Sequence, residues 1–227
     1  AYYSKTCGYD CPRVRNTGPD LILPSKRETW RAAMRQAMEY QYVTYGRQGR
    51  ADGTPHGAGW YPNMDAYYLI MAALAGELFD EPRYREQAER YVEFLALRQY
   101  PEGAFPYMDL QNESPGIYHD IVVSKLARYW QLTGSQKALD LIEATVPFHP
   151  RMVEPGGAVE FYTAPYWKQQ WSRKGPAVPE IVAGITGDPV NKAVAAHLLE
   201  TYRAEDAGGT ETYGTIGILA ATLYRTD

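Results

Sequence analysis

The stretch "MDAYYLIMAALAGELFDEPRYREQAERYVEFLAL", Met64 to Leu97, decides the fold. Its first half, to Phe79, is apolar on almost every face, the composition of a helix buried on all sides. Its second half, from Pro82, puts Tyr84, Ala88, Tyr91, Val92 and Leu95 on one helical face and Arg83, Arg85, Glu86, Glu89, Arg90 and Glu93 on the other. That is a helix half in water. Between the two, Asp80 precedes Pro82 as a helix-start signal. The stretch therefore predicts a hairpin with an inner and an outer helix.

The same order recurs along the chain. Glycine-centred loops stand at Gly53 in "ADGTPHGAGWYPN", Gly103 in "PEGAFPYMD", Gly157 in "EPGGAVEFYTAPYW" and Gly209 in "DAGGTETYGT", at intervals of 50, 54 and 52. A second marker keeps step: Asp80 in "LFDEPRYREQA", Gly134 in "LTGSQKALDL" and Gly187 in "ITGDPVNKAV", 54 and 53 apart. Two markers with one period signal a repeated supersecondary unit. Each unit reads as loop, buried helix, tight turn and amphipathic helix, with Asp188 before Pro189 and Ser135 as further start signals. Helices of about 16 residues are about 24 Å long. With an opening helix from Ser25 to Tyr45, the expected fold is all-α: an α/α toroid, an incomplete ring of about four helical hairpins over residues 25–227. Residues 1–24 form an N-terminal extension.

Composition narrows the classes. The 227 residues are 45% hydrophobic, enough for a sizeable core, and the net charge of −4 offers no basic field for nucleic acid. No run approaches the roughly 18 apolar residues of a membrane span, and "AYYSKTCGYD" lacks a signal sequence. The chain is expected to be either cytoplasmic or exported with its signal removed. Cys7 and Cys11 are too few for a four-ligand zinc site, so a local disulfide fits better and tips the expectation towards a secreted or periplasmic protein. Twenty Tyr and five Trp exceed what core packing alone normally demands; aromatic faces are what carbohydrate grooves use, and a Tyr-rich core is the equal competing reading.

In a ring of hairpins every glycine loop feeds an inner helix from the same rim. That rim collects Trp60, Tyr61 and Asn63 from the first loop, Phe105 and Tyr107 from the second, and Tyr162, Tyr166, Trp167 and Lys168 from the third. Tyr118, His119 and Asp120 open an inner helix at the same place. Aromatic walls with few polar groups suit a sugar-binding groove. His119 is a candidate base near neutral pH and Tyr118 a candidate proton donor, or a base if it enters deprotonated. Packing for Tyr118 and backbone capping for His119 is the competing reading. Two of Asp65, Asp109, Asp120 and Glu160 offer a rival, hydrolytic chemistry, although Asp65 and Asp120 also suit helix N-termini. His56, His149 and His197 show no metal-ligand spacing, and no metal, nucleotide or redox cofactor is expected. Arg47 and Arg50, or Lys168, Arg173 and Lys174, could pair with a carboxylated sugar.

The segments "GWYPNMDAYYLIMAALAGELF", "PEGAFPYMDLQNESPGIYHDIVVSKLARYWQLTG" and "GGAVEFYTAPYWKQQW" resemble the α/α-toroid domain of polysaccharide lyases of the alginate lyase and heparinase II/III kind. The resemblance spans most of Thr29 to Tyr224 and rests on repeat architecture and loop style. It implies β-elimination on a uronic-acid-containing polysaccharide such as alginate or a glycosaminoglycan. It also implies Asn63 as the group that neutralises the carboxylate and Tyr118 as the proton relay. Met64 follows Asn63 where many such lyases have His, so His119 or His56 would supply that role. Toroidal uronyl hydrolases and C5-epimerases share these hairpins, and a non-catalytic glycan-binding toroid is the further alternative.

Overall fold

The computed structural model describes residues 23–47, 61–107, 116–153 and 176–205. Every regular element among them is helical. Helix α1 spans Pro24–Gln41 and runs into a π-helical turn, Tyr42–Arg47; α2 spans Pro62–Phe79, α3 Pro82–Arg98, α4 Gly116–Thr133, α5 Gln136–Ala144, α6 Phe148–Met152, α7 Ala177–Thr186 and α8 Pro189–Glu205. None of these is long and apolar enough to cross a membrane.

The helices pair as the sequence predicts, α2 with α3, α4 with α5 and α7 with α8. The pairs stand side by side in two layers: α2, α4 and α7 touch in succession, and α3, α5 and the α6–α8 contact run alongside. The core lies between the layers. Leu69, Tyr84, Tyr91, Leu95, Leu126, Ile142 and Ile181 are fully buried there, each aliphatic side chain contributing about 1.5–3 kcal/mol. The opening helix ends four residues early, at Gln41, where the π-helical turn takes over. The second outer helix, α5, has only nine residues. It stops where Thr145 and Pro147 turn the chain into the short α6.

The second repeat marker has a structural meaning that differs from the expected one. Asp80 is not an N-cap: it lies at φ 54° in the left-handed region and closes α2, and Glu81 precedes α3. Gly134 and Gly187 take the same left-handed conformation, at φ 68° and 74°. The marker is thus the residue that reverses the chain after each inner helix, a place where glycine is the unstrained choice. Around the two glycines the hydrogen bonds repeat. Gly134 N–H donates to Trp130 O at 2.7 Å and Gly187 N–H to Ala183 O at 2.8 Å. Thr133 and Thr186 hydroxyls donate back to Tyr129 O and Val182 O, both at 2.8 Å, and each accepts the amide two residues on, at 3.2 Å. Ser135 and Asp188 then cap α5 and α8, as expected.

The layers are tied by a second repeating contact. Arg83 at the start of α3 reaches Glu39 of α1, Lys137 at the start of α5 reaches Glu93 of α3, and Asn191 of α8 donates to Val146 O. The three donors are 54 residues apart in turn, and each reaches back 44 or 45 residues. One docking geometry joins successive outer elements. This stacking leaves a stripe of α2 uncovered among the described residues, with Met64, Met71, Leu74 and Leu78 each about 40% exposed.

Candidate functional site

The N-terminal ends of α2 and α4 meet the Gly103 loop. That loop is a tight turn: Gly103 N–H donates to Tyr100 O and Tyr100 N–H to Ala104 O, both at 2.8 Å, and Gly103 sits at φ 87°. Its backbone lies against the end of α5, so the chain leaving it is aimed at the first turn of α4. Tyr107 there stacks on Tyr118, with ring centroids 4.0 Å apart and planes at 26°. Tyr61, just before α2, is tilted against Tyr107 at 5.6 Å and 54°. The result is a row of three phenols drawn from three elements. Tyr61 is exposed, and Tyr107 and Tyr118 are half-buried. Tyrosine rings carry both an apolar face and a polar hydroxyl, the pairing that sugar-binding surfaces use.

Asn63 lies in the first turn of α2, only 8% exposed. Its Oδ1 is buried and makes no hydrogen bond to the described residues. In that turn Pro62 has no N–H and the Met64 and Asp65 amides donate to Tyr61 O at 2.9 and 3.1 Å, so the 18-residue helix offers its dipole, which favours negative charge, more than unpaired donors. Two residues on, Asp65 is fully buried. The phenol of Tyr91 below it is pushed well above the usual range, first by burial and then by the Asp65 charge. Tyr91 is a protonated core residue and not a proton shuttle.

His119 is placed differently from the exposed base that its sequence position invites. It is fully buried, stacked on Phe105 at 5.9 Å and tilted against Phe148 at 4.2 Å. The backbone N–H of Phe105 donates to its Nδ1 at 3.1 Å. A backbone amide can only donate, so Nδ1 carries the lone pair and the ring proton sits on Nε2. Asp120 is likewise turned inward, its Oδ1 accepting from His149 Nε2 at 3.1 Å. His149, on α6, is 3% exposed. It lies 5.3 Å from the His119 ring. Sequence spacing gave no sign of this neighbour: 29 residues separate His149 from Asp120, with a whole outer helix between them.

Of the predicted site residues, Asn63, Tyr61, Tyr107, Tyr118 and His119 are thus gathered at one end of the helices. Trp60, Tyr162, Tyr166, Trp167 and Lys168 lie outside the described residues, as do Cys7, Cys11, Asp109 and Glu160. A cavity of about 560 Å³ opens away from that end, along α3 and between the C-terminal halves of α2 and α4, beside Glu77, Arg85, Glu89, Glu93, Tyr129 and Lys137. Ion pairs Arg85–Glu77 and Lys137–Glu93 cross it, so it is a charged fissure between hairpins, away from the aromatic row. No family model, curated protein or solved structure matches the chain.

Proposed function

We propose that the hairpins form an arc of an α/α toroid and that the protein is a polysaccharide lyase acting on a uronic-acid-containing glycan by β-elimination. The observation that carries this reading is the Tyr61–Tyr107–Tyr118 row beside a buried Asn63 at the N-terminus of α2. A uronate ring lies against the phenols. Its carboxylate points towards the Asn63 carboxamide and the positive end of the α2 dipole, which offset the enolate charge as it develops. Tyr118, entering as phenolate, takes the C5 proton; the C4–O4 bond breaks, its electrons leave with O4, and the C5–H pair becomes the C4–C5 double bond. A tyrosine phenol of the row, Tyr118 itself or Tyr107, returns a proton to O4.

The burial of His119 favours Tyr118 over it as the group that reaches substrate. The hydrolytic alternative draws less support, because Asp65 is fully buried and Asp120 is engaged by His149. A secreted or periplasmic location fits such a substrate. The test is a panel of alginate, glucuronan, heparan, chondroitin and pectic polymers, followed by ultraviolet absorbance of the unsaturated uronyl product. One polymer should give a rise that Tyr118→Phe cuts by about a hundredfold or more, with binding of the polymer retained. New reducing ends without absorbance would replace elimination by hydrolysis. Binding without either signal would leave a glycan-binding protein.

A further inference from the structure

Independently of that reading, we propose that His119, Asp120 and His149 bind one divalent transition-metal ion of the zinc class, a buried clamp between the first turns of α4 and the short helix α6. One donor atom from each of the three lies within 4.8 Å of the others. Three donors held about 2.0–2.1 Å from one ion in a tetrahedral site stand roughly 3.3 Å apart. The His149 Nε2 to Asp120 Oδ1 edge, at 3.1 Å, already has that spacing. The two edges to His119 lie within 4.8 Å, and closing them requires the His119 ring to move towards the other two donors.

The donor set selects the ion. Two imidazoles with one carboxylate suit zinc, cobalt, nickel or ferrous iron, whereas magnesium and calcium call for oxygen donors throughout. The side chain of His149 is 3% exposed and that of Asp120 18%, so the ion would be enclosed, with water as the fourth ligand of a three-donor site. The hydrogen bond from Phe105 N–H to His119 Nδ1 opposes ligation, because the His119 ring must turn over or give up its Nε2 proton. Losing one buried hydrogen bond weakens binding by roughly ten- to a hundredfold. Structural zinc sites hold metal at about nanomolar levels or tighter, so the site tolerates that loss. The anchored element matters because Tyr118 stands next to two of the ligands in α4.

The experiment uses the full chain, stripped with a chelator and titrated with Co²⁺ and with Zn²⁺. One Co²⁺ per chain, with the intense visible bands of a tetrahedral site, and a zinc-dependent rise in Tm that Mg²⁺ does not reproduce are expected. His149→Gln, which keeps an amide donor for Asp120, and His119→Phe should each weaken binding about a hundredfold or more. A Cys7→Ser/Cys11→Ser double variant should bind as the wild type does. Absence of stoichiometric binding, wild-type affinity in either histidine variant, or loss of binding in the cysteine variant would overturn the assignment. If a histidine variant fails to fold, X-ray absorption of the Zn²⁺-loaded wild type decides: two imidazoles support the site, and sulfur scattering removes it.

Discussion

Replacing Gly103 by Ala tests whether the loop that aims Tyr107 is built around a missing side chain. A Cβ at Gly103 would lie 1.9 Å from Ala144 O, 2.7 Å from Ala144 C and 3.0 Å from Thr145 Cα, where ordinary contact begins at 3.4 Å. The shortfall of 1.5 Å falls on backbone, which cannot rotate aside as a side chain would. Two costs add. Holding Ala at φ 87° costs about 1–2 kcal/mol, and forcing apart packed backbone costs about 1–3 kcal/mol. Gly134→Ala is the control, since its φ of 68° imposes the first cost while nothing lies within 4 Å of its Cβ. Both variants gain equally from a stiffer unfolded chain, so the difference between them isolates the clash at about 1–3 kcal/mol. With a urea slope of about 2 kcal/mol per molar, the midpoints should separate by about 0.5–1.5 M when unfolding is followed by circular dichroism. Midpoints of the two variants within about 0.2 M would refute the argument. Gly103→Ala should also perturb the Phe105–His119 bond two residues away, and with it the elimination proposed for Tyr118.

Three further outcomes are expected. Asp80→Gly should stabilise the chain by about 0.5–1 kcal/mol, because it gives the first turn the residue that Gly134 and Gly187 give the others; the lost Asp80–Arg85 pair is an exposed one of small worth, and a lower midpoint would reject the repeat argument. Leu69→Ala should cost about 2–5 kcal/mol and Leu74→Ala, 44% exposed, under about 1 kcal/mol in the same urea assay, so similar losses would contradict the assigned inner face of α2. Lys125 has its pKa lowered by burial, with its Nζ 4.9 Å from the Tyr67 ring centroid. Between its folded value and the ordinary lysine range the unfolded chain binds more protons, so this residue makes stability rise with pH there. Lys125→Met should flatten that rise, and a parent and variant with parallel stability profiles from pH 7 to 11 would exclude the effect.

The helical hairpin was legible because the chain states it locally and repeats it. Tyr84 to Leu95 bury the face that their period predicts, and Ser135 and Asp188 cap where helix-start chemistry expects, whereas Met64 to Phe79, expected to be buried on all sides, keeps Met64, Met71, Leu74 and Leu78 about 40% exposed among the described residues. The gathering of Tyr61, Tyr107 and Tyr118 followed from the same repeat, since equal units bring equivalent loops to one end. Asp80 misled because Asp serves both as an N-cap and, less often, as a left-handed helix terminator. Only the comparison with the structural role of Gly134 and Gly187 separates the two uses.

The sequence by itself determined the principal helices, their pairing into hairpins and the end at which Tyr61, Tyr107 and Tyr118 assemble. These depend on periodicity, and periodicity is a property of neighbours along the chain. Tertiary structure alone decided that His119 is sealed between Phe105 and Phe148 and that Asp120 points to His149. It also decided that Gly103 is pressed against the end of α5. Those relations join residues 14 to 41 positions apart. They are set by how one hairpin docks on the next, a geometry that no local spacing encodes.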